Sequence, residues 1–422
     1  MPSRVLRMRE LAAAVGLTAV AFAQSPGKLV ADTKLDLVVA PGEFLHRALL
    51  AWDPHVGFGQ LQNQAYGYLF PMGPFFWLGQ LAGLPGWVVQ RSWWALLLVV
   101  AFTGMLGLTA ALGVGTWNTR MVAALAFSLS PRVLSTIGPL SVESWPLALA
   151  PWVLLPLVRC REPSQVRRAA LASAVAFACV GAVNAAATVA VLAPPILWLL
   201  TRESGPTRRR LVRWWAAGVA LALAWWLLPL LVLGGYAYPF LDYIESARIT
   251  TSVTSVLNVL RGTSDWVAWS PSLGEPSWPA GWWLASSVLA VLATSAVAGL
   301  GLAGLASRSL HERRFLLWSL LLGTLLMAVG HAGPAAPAAR DLLDGPLAVL
   351  RNVHKLDLMV RIPLMVGLAH ALAVAPVWVR RRWGAVVAKV PPGWGLPGAD
   401  AVLRVGVIVT SAALVVTVAP AL

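Results

Sequence analysis

Apolar stretches recur eleven times along this chain, near 11–30, 92–114, 121–137, 144–158, 169–184, 185–200, 214–234, 282–306, 315–330, 359–379 and 401–420. A helix needs about 20 mostly apolar residues to cross the hydrocarbon layer of a membrane. The pattern therefore predicts an all-α polytopic membrane protein, a bundle of about 11 transmembrane helices. Composition agrees: hydrophobic residues make up 58% and charged residues 12% of the 422. Soluble domains average about 45–50% and 25%.

The net charge of +15 would suggest nucleic acid in a soluble protein, but here the distribution of charge decides. With Arg4, Arg7 and Arg9 in the cytoplasm and every apolar segment crossing, inner loops receive Arg120, Arg159, Arg161, Arg167, Arg168, Arg202, Arg208, Arg209, Arg210, Arg213, Arg308, Arg313, Arg314, Arg380, Arg381, Arg382 and Lys389. That is 20 of the 32 basic residues, against five acids there and 12 outside. The asymmetry is the positive-inside bias, and it sets the orientation. The basic residues are dispersed as helix-end clusters with no groove-reading or base-stacking motif, which excludes nucleic acid as a partner. Residues 1–23 allow two readings, a retained first span or a cleaved signal peptide. In both, the following loop lies outside.

Cys160 and Cys179 lack metal-ligand spacing and read as buried small side chains. The 22 tryptophans include Trp93-Trp94, Trp214-Trp215 and Trp282-Trp283 at span ends, where amphipathic rings anchor at the interface. The spans themselves look poor in charge, with Asn184 and His370 as the main polar exceptions. No phosphate-binding Gly-Lys-Ser/Thr loop, zinc-protease motif or nucleophile elbow is present.

Chemistry is expected in three outer loops, about 31–91, 235–281 and 331–358, carrying short interfacial helices such as one over Glu43–Ala51. Asp32 and Asp36 follow the first span four residues apart, so a helical continuation would put both on one face. A carboxylate at a membrane edge is costly unless solvated, paired or functional. Two readings stand for these aspartates, a solvated helix cap or a general base with a raised pKa. Arg351, His354, Lys355 and Arg361 form a second constellation in the third loop. They would hold a lipid phosphate or anchor the chain to anionic headgroups. A third group, Gln60, Gln62, Asn63, Gln64, Tyr66 and Tyr68, offers hydrogen bonds and stacking faces to a sugar.

Taken in order, Asp32-Thr33-Lys34-Leu35-Asp36-Leu37, Trp52-Asp53-Pro54, Phe58-Gly59-Gln60-Leu61-Gln62-Asn63-Gln64, Tyr68-Leu69-Phe70-Pro71-Met72-Gly73-Pro74-Phe75 and Arg351-Asn352-Val353-His354-Lys355 resemble one family. It is the membrane module of the actinobacterial α-(1→3)-arabinofuranosyltransferases, glycosyltransferases of the GT-C fold. The resemblance covers residues 1–422 as one module, without the family's large carbohydrate-binding region. It implies a plasma-membrane enzyme whose site faces the extracytoplasmic side. It also implies a decaprenyl-phosphoryl-arabinose donor and a cell-wall arabinan acceptor, in arabinogalactan or lipoarabinomannan. The anomeric centre would invert, with Asp32 as catalytic base and Asp36 in reserve. No cofactor is demanded; a divalent cation bridging Asp32 or Asp36 to the donor phosphate would be compatible. The rival expectations are a mannosyltransferase of the same fold, a lipid-linked sugar transporter and a non-catalytic scaffold.

Overall fold

The computed structural model describes residues 4–387 except 24, 31, 33, 55–58, 62–65 and 273–274. The described residues are mostly helical. Among the described residues, β-structure is confined to two short antiparallel pairs, Trp52–Asp53 with Gln60–Leu61 and Pro271–Ser272 with Glu275–Pro276.

Five helical stretches are long and apolar enough to cross a membrane: Gly86–Ala111, Ser141–Arg159, Pro206–Tyr236, Val288–Ala306 and Val353–Pro376. Five of the expected 11 segments thus contain such a helix among the described residues, and the other described segments do not. The reason is length and charge. Trp117–Ser128, Val166–Ala178, Ala185–Thr201 and Arg313–Ala328 have 12, 13, 17 and 16 residues. A crossing takes roughly 17–25 residues, so these helices fall at or below the short end of that range. Arg4–Phe22 has 19 residues, but its first two turns carry Arg4, Arg7, Arg9 and Glu10. The segment 401–420 lies outside the described residues.

Helix ends follow local chemistry. Thr116 and Thr119 form a reciprocal capping box at the start of Trp117–Ser128. Asn184 caps Ala185–Thr201 by accepting the Ala187 N–H at 2.8 Å. Its polarity is thereby used inside the chain. His370 is likewise met by a neighbour, with Nε2 3.1 Å from the Ser309 hydroxyl.

Between helices, small residues and buried polar bridges set the approach. The indole N–H of Trp215 donates to Ser173 Oγ at 2.9 Å, and that hydroxyl donates to the Val153 carbonyl at 2.6 Å. This chain ties Pro206–Leu233, Val166–Ala178 and Ser141–Arg159 together. Gly301 and Gly304 of Val288–Ala306 face Leu364 and Gly367 of Leu358–Val387 so closely that a Cβ on Gly304 would strike the Gly367 carbonyl. Such backbone contact holds helices together where lipid removes the hydrophobic drive for association.

Trp93 and Trp94 are buried rather than interfacial, at 1% and 2% exposure. Trp93 lies 4.9 Å from Trp145 and 5.4 Å from Phe75, ring centre to ring centre, because the first loop folds back over the start of Gly86–Ala111. Trp214 and Trp282 remain exposed. That loop contains the helices Leu35–Val39, Pro41–Ala48, Tyr66–Leu69 and Met72–Leu81. The helix expected over Glu43–Ala51 falls at Pro41–Ala48, with Phe44 and Ala48 turned inward.

Candidate active site at the start of the Ser141–Arg159 helix

Two carboxylates meet at the N-terminus of Ser141–Arg159. Asp32 is buried, and its Oδ2 accepts the Ser141 N–H at 3.3 Å and the Ser141 hydroxyl proton. Glu143 stands in the first turn of the same helix. Unpaired N–H groups and the helix dipole favour negative charge there.

The segment leading to Asp32 is fastened to Gly86–Ala111. The Gln90 amide donates to the Val30 carbonyl at 2.9 Å and accepts the Val30 N–H at 3.1 Å, as a neighbouring strand would. Arg91 donates to the Lys28 carbonyl at 3.3 Å, with its guanidinium 4.2 Å from the centre of the Trp94 ring. Side chains of one helix thus fix the backbone just before Asp32. Asp36 is not brought to this place. The helix begins only at Leu35, so the two aspartates do not share a helical face. Asp36 instead pairs with Arg47 at 3.1 Å, both side chains 49% exposed.

Around Glu143 lies a cluster of ionisable side chains. Lys355 Nζ is 2.7 Å from Glu143 Oε1. Arg132 Nη1 reaches Asp265 Oδ2 at 2.5 Å, and its Nη2 is 3.8 Å from Glu143 Oε2. His354 lies between the carboxylates, with Nε2 3.7 Å from Asp265 Oδ1 and 4.0 Å from Glu143 Oε2. Two cations thus face two carboxylates, which makes such deep burial tolerable. The buried Nδ1 of His354 and Oε2 of Glu143 have no hydrogen-bond partner among the described residues. Glu143 and Lys355 are 14% and 10% exposed, against 1–4% for Arg132, Asp265 and His354. A polar reactant arriving from outside therefore meets the Glu143–Lys355 pair first.

The other expected cations are committed elsewhere. Arg351 donates to the carbonyls of Leu343, Leu241 and Glu245 at 3.2, 3.0 and 2.7 Å, and pairs with Asp344. It clamps the segment around Leu241 and Glu245 to the one around Leu343. Arg361 holds buried Asp357 through two nitrogens and donates to the Val259 and Leu260 carbonyls. Those carbonyls close the short helix Val256–Arg261, which ends at left-handed Gly262 (φ +83°). A cation there is favoured by the helix dipole, so Arg361 serves as a cap.

Of the expected sugar-binding group, Gln60 is exposed on the hairpin, opposite Asp53. Tyr68 is 5% exposed and packs edge-on against Phe44, 6.0 Å between ring centres, as a core residue. Tyr66 opens the Tyr66–Leu69 helix. Gln62, Asn63 and Gln64, and the side chain of Tyr66, lie outside the described part of the structure.

Sequence reasoning passed over Arg132 and Glu143, and gave Asp265 no role beyond its place in the loop 235–281. Arg132 carried a usable signal, since it falls inside the apolar stretch 121–137, and an ionisable residue there is a functional candidate by default. The expectation of spans without buried charge is corrected on this point. Among the described residues, no group of three His, Cys, Asp or Glu side chains is arranged to hold a metal ion. Cys160 is half-buried, and burial pushes its thiol above the ordinary value, away from nucleophilic chemistry.

Comparison with known proteins agrees with the helical architecture. Residues 16–422 match the family model of the N-terminal GT-C domain of α-(1→3)-arabinofuranosyltransferase. The chain is 47% identical over 361 residues to an α-(1→3)-arabinofuranosyltransferase of Mycolicibacterium smegmatis, covering 84% of this chain and 25% of that protein. A Mycobacterium tuberculosis protein of the same name is 46% identical over 375 residues, covering 86% and 26%. The cryo-EM structure of arabinofuranosyltransferase AftD from mycobacteria superposes with a TM-score of 0.75 at 40% identity, covering 98% of this chain and 26% of the other. The chain thus spans about a quarter of the length of these relatives.

Proposed function

Since the chain belongs to the N-terminal GT-C domain family of α-(1→3)-arabinofuranosyltransferases, we propose that it is the catalytic membrane module of such an enzyme. The observation that carries this reading is the meeting of Asp32 and Lys355 at one helix turn. Asp32 binds Ser141, and Lys355 binds Glu143 two residues on. An acceptor hydroxyl needs a base and a departing phosphate needs a cation, a few ångströms apart.

In the proposed reaction, Asp32 takes the proton of the acceptor hydroxyl as its oxygen attacks the anomeric carbon. The bond from that carbon to the phosphate oxygen breaks on the opposite face. The electron pair leaves on the lipid phosphate, and the configuration inverts. Lys355 and His354 receive the developing phosphate charge, with Arg132 behind them, while Arg351 and Arg361 hold the loops that present them. The donor is decaprenyl-phosphoryl-arabinose, its tail in hydrocarbon, and the acceptor is a cell-wall arabinan on the extracytoplasmic face of the plasma membrane. The residues just before Asp32, held by Gln90 and Arg91, keep the base in place.

A second assignment of the base has its own observation. Oδ2 of Asp32 is occupied by Ser141, whereas Oε2 of Glu143, though buried, accepts no hydrogen bond among the described residues, and the Glu143 side chain as a whole is 14% exposed. The test is turnover of labelled decaprenyl-phosphoryl-arabinose onto a short synthetic arabinan by the purified chain. Asp32→Asn should abolish transfer while leaving the fold and donor binding intact. Full activity in Asp32→Asn with none in Glu143→Gln moves the role to Glu143. Normal rates in both variants end the proposal.

A further inference from the structure

The opposite end of the same 19-residue helix, roughly 27 Å from Asp32 by helical rise, carries a separate feature. A cavity of about 520 Å³ opens between Ser141–Arg159 and Val166–Ala178. Its wall is apolar, with Trp152 and Leu155 on one helix and Ala172 on the other. Its rim is cationic and polar, with Arg159, Arg168 and Gln165. Both arginines are exposed, and among the described residues neither makes an ion pair. The adjacent acid, Glu162, accepts the Ser164 hydroxyl instead. The Gln165 oxygen is taken by the Arg161 N–H at 3.2 Å, which leaves its NH2 as a donor.

We propose that this groove binds one anionic glycerophospholipid of the leaflet at the arginine-rich end, with an acyl chain against Trp152, Leu155 and Ala172 and the phosphate between Arg159 and Arg168. Charge complementarity selects this occupant. An apolar trough bordered by two unpaired guanidinium groups matches a chain joined to a phosphate, and arginine presents two parallel donors to such a group. A zwitterionic lipid would fill the same trough but bring its own cation against the arginines. The groove lies at the far end of the helix from the proposed transferase site, so the inference stands or falls independently of that function.

The experiment uses the full chain, purified in detergent, delipidated, and titrated with phosphatidylglycerol or phosphatidylcholine of matched acyl chains. Native mass spectrometry counts the lipid retained. One phosphatidylglycerol should bind per chain in preference to phosphatidylcholine. The double variant Arg159→Gln/Arg168→Gln should weaken phosphatidylglycerol by about thirtyfold, from the loss of two cations at a lipid phosphate, and leave phosphatidylcholine unchanged. Ala172→Trp, which fills the trough, should reduce both lipids. Equal binding of the two lipids by the parent chain overturns the proposal, as does undiminished phosphatidylglycerol in the double variant. Displacement of phosphatidylglycerol by millimolar inorganic phosphate would reveal a bare anion site and also overturn it. Should Ala172→Trp fail to fold, the double variant decides alone, because both arginines are exposed.

Discussion

Glu143→Gln removes one charge and leaves the shape of the side chain almost unchanged, so its effect isolates the electrostatics of the cluster. Lys355 then loses its 2.7 Å partner, and no other carboxylate pairs with it among the described residues. Breaking a buried pair by removing one member costs about 3–5 kcal/mol. With 10% and 14% of the two side chains exposed, the lower end applies, about 3 kcal/mol. Lys355→Met should cost less, about 1–2 kcal/mol, because Glu143 keeps Arg132 at 3.8 Å and His354 at 4.0 Å. The double variant leaves neither charge alone, and Arg132 retains Asp265. It should therefore be more stable than Glu143→Gln alone, with a coupling of about 1–3 kcal/mol. Denaturant unfolding of the four proteins in matched micelles, followed by tryptophan fluorescence, measures all corners of the cycle. Losses that add to within about 0.5 kcal/mol would show that the pair is not coupled, and the description of the cluster would fail.

Four further outcomes follow from the geometry. Asp36→Ala should change stability by less than about 1 kcal/mol, since its pair with Arg47 is half exposed; equilibrium unfolding checks this. Gly304→Val should cost about 3 kcal/mol or more by driving a side chain onto the Gly367 carbonyl, read as loss of the folded peak in size-exclusion chromatography. Arg361→Met should cost about 3–5 kcal/mol by stranding buried Asp357, yet leave donor affinity of the folded fraction unchanged, whereas Lys355→Gln should weaken donor binding. Gln90→Ala removes two hydrogen bonds to Val30, worth about 1 kcal/mol each; it should lower kcat more than it raises the donor KM.

The residues legible in the sequence were those whose role is set by neighbours along the chain. Apolar periodicity announced the helices, and the order of motifs announced the family, because both are local properties. Asp32 stood out because a carboxylate beside an apolar segment needs a local reason. Glu143 stood beside one too, at the edge of the 144–158 stretch, but an acid in that position also reads as an ordinary helix start. Its meaning comes from Lys355 and Arg132, which reach it from distant parts of the chain. The cations of the third loop illustrate the same limit. Arg351, Lys355 and Arg361 look equivalent in sequence, yet Arg351 and Arg361 are consumed by carbonyls and by Asp344 and Asp357. Only Lys355 reaches the first turn of Ser141–Arg159. What separates a loop clamp from a phosphate ligand is whether backbone oxygens have already taken its protons, and four of those five oxygens belong to segments about a hundred residues away. The same reasoning explains why five of the apolar segments, and not all of the described ones, carry a helix long and apolar enough to cross. Hydropathy reports which stretches prefer lipid, whereas the ends of a helix are set by prolines, caps and buried charges. Ser130-Pro131-Arg132 ends one apolar stretch early by placing a guanidinium at the site, and the interruption of the span is what supplies the cation.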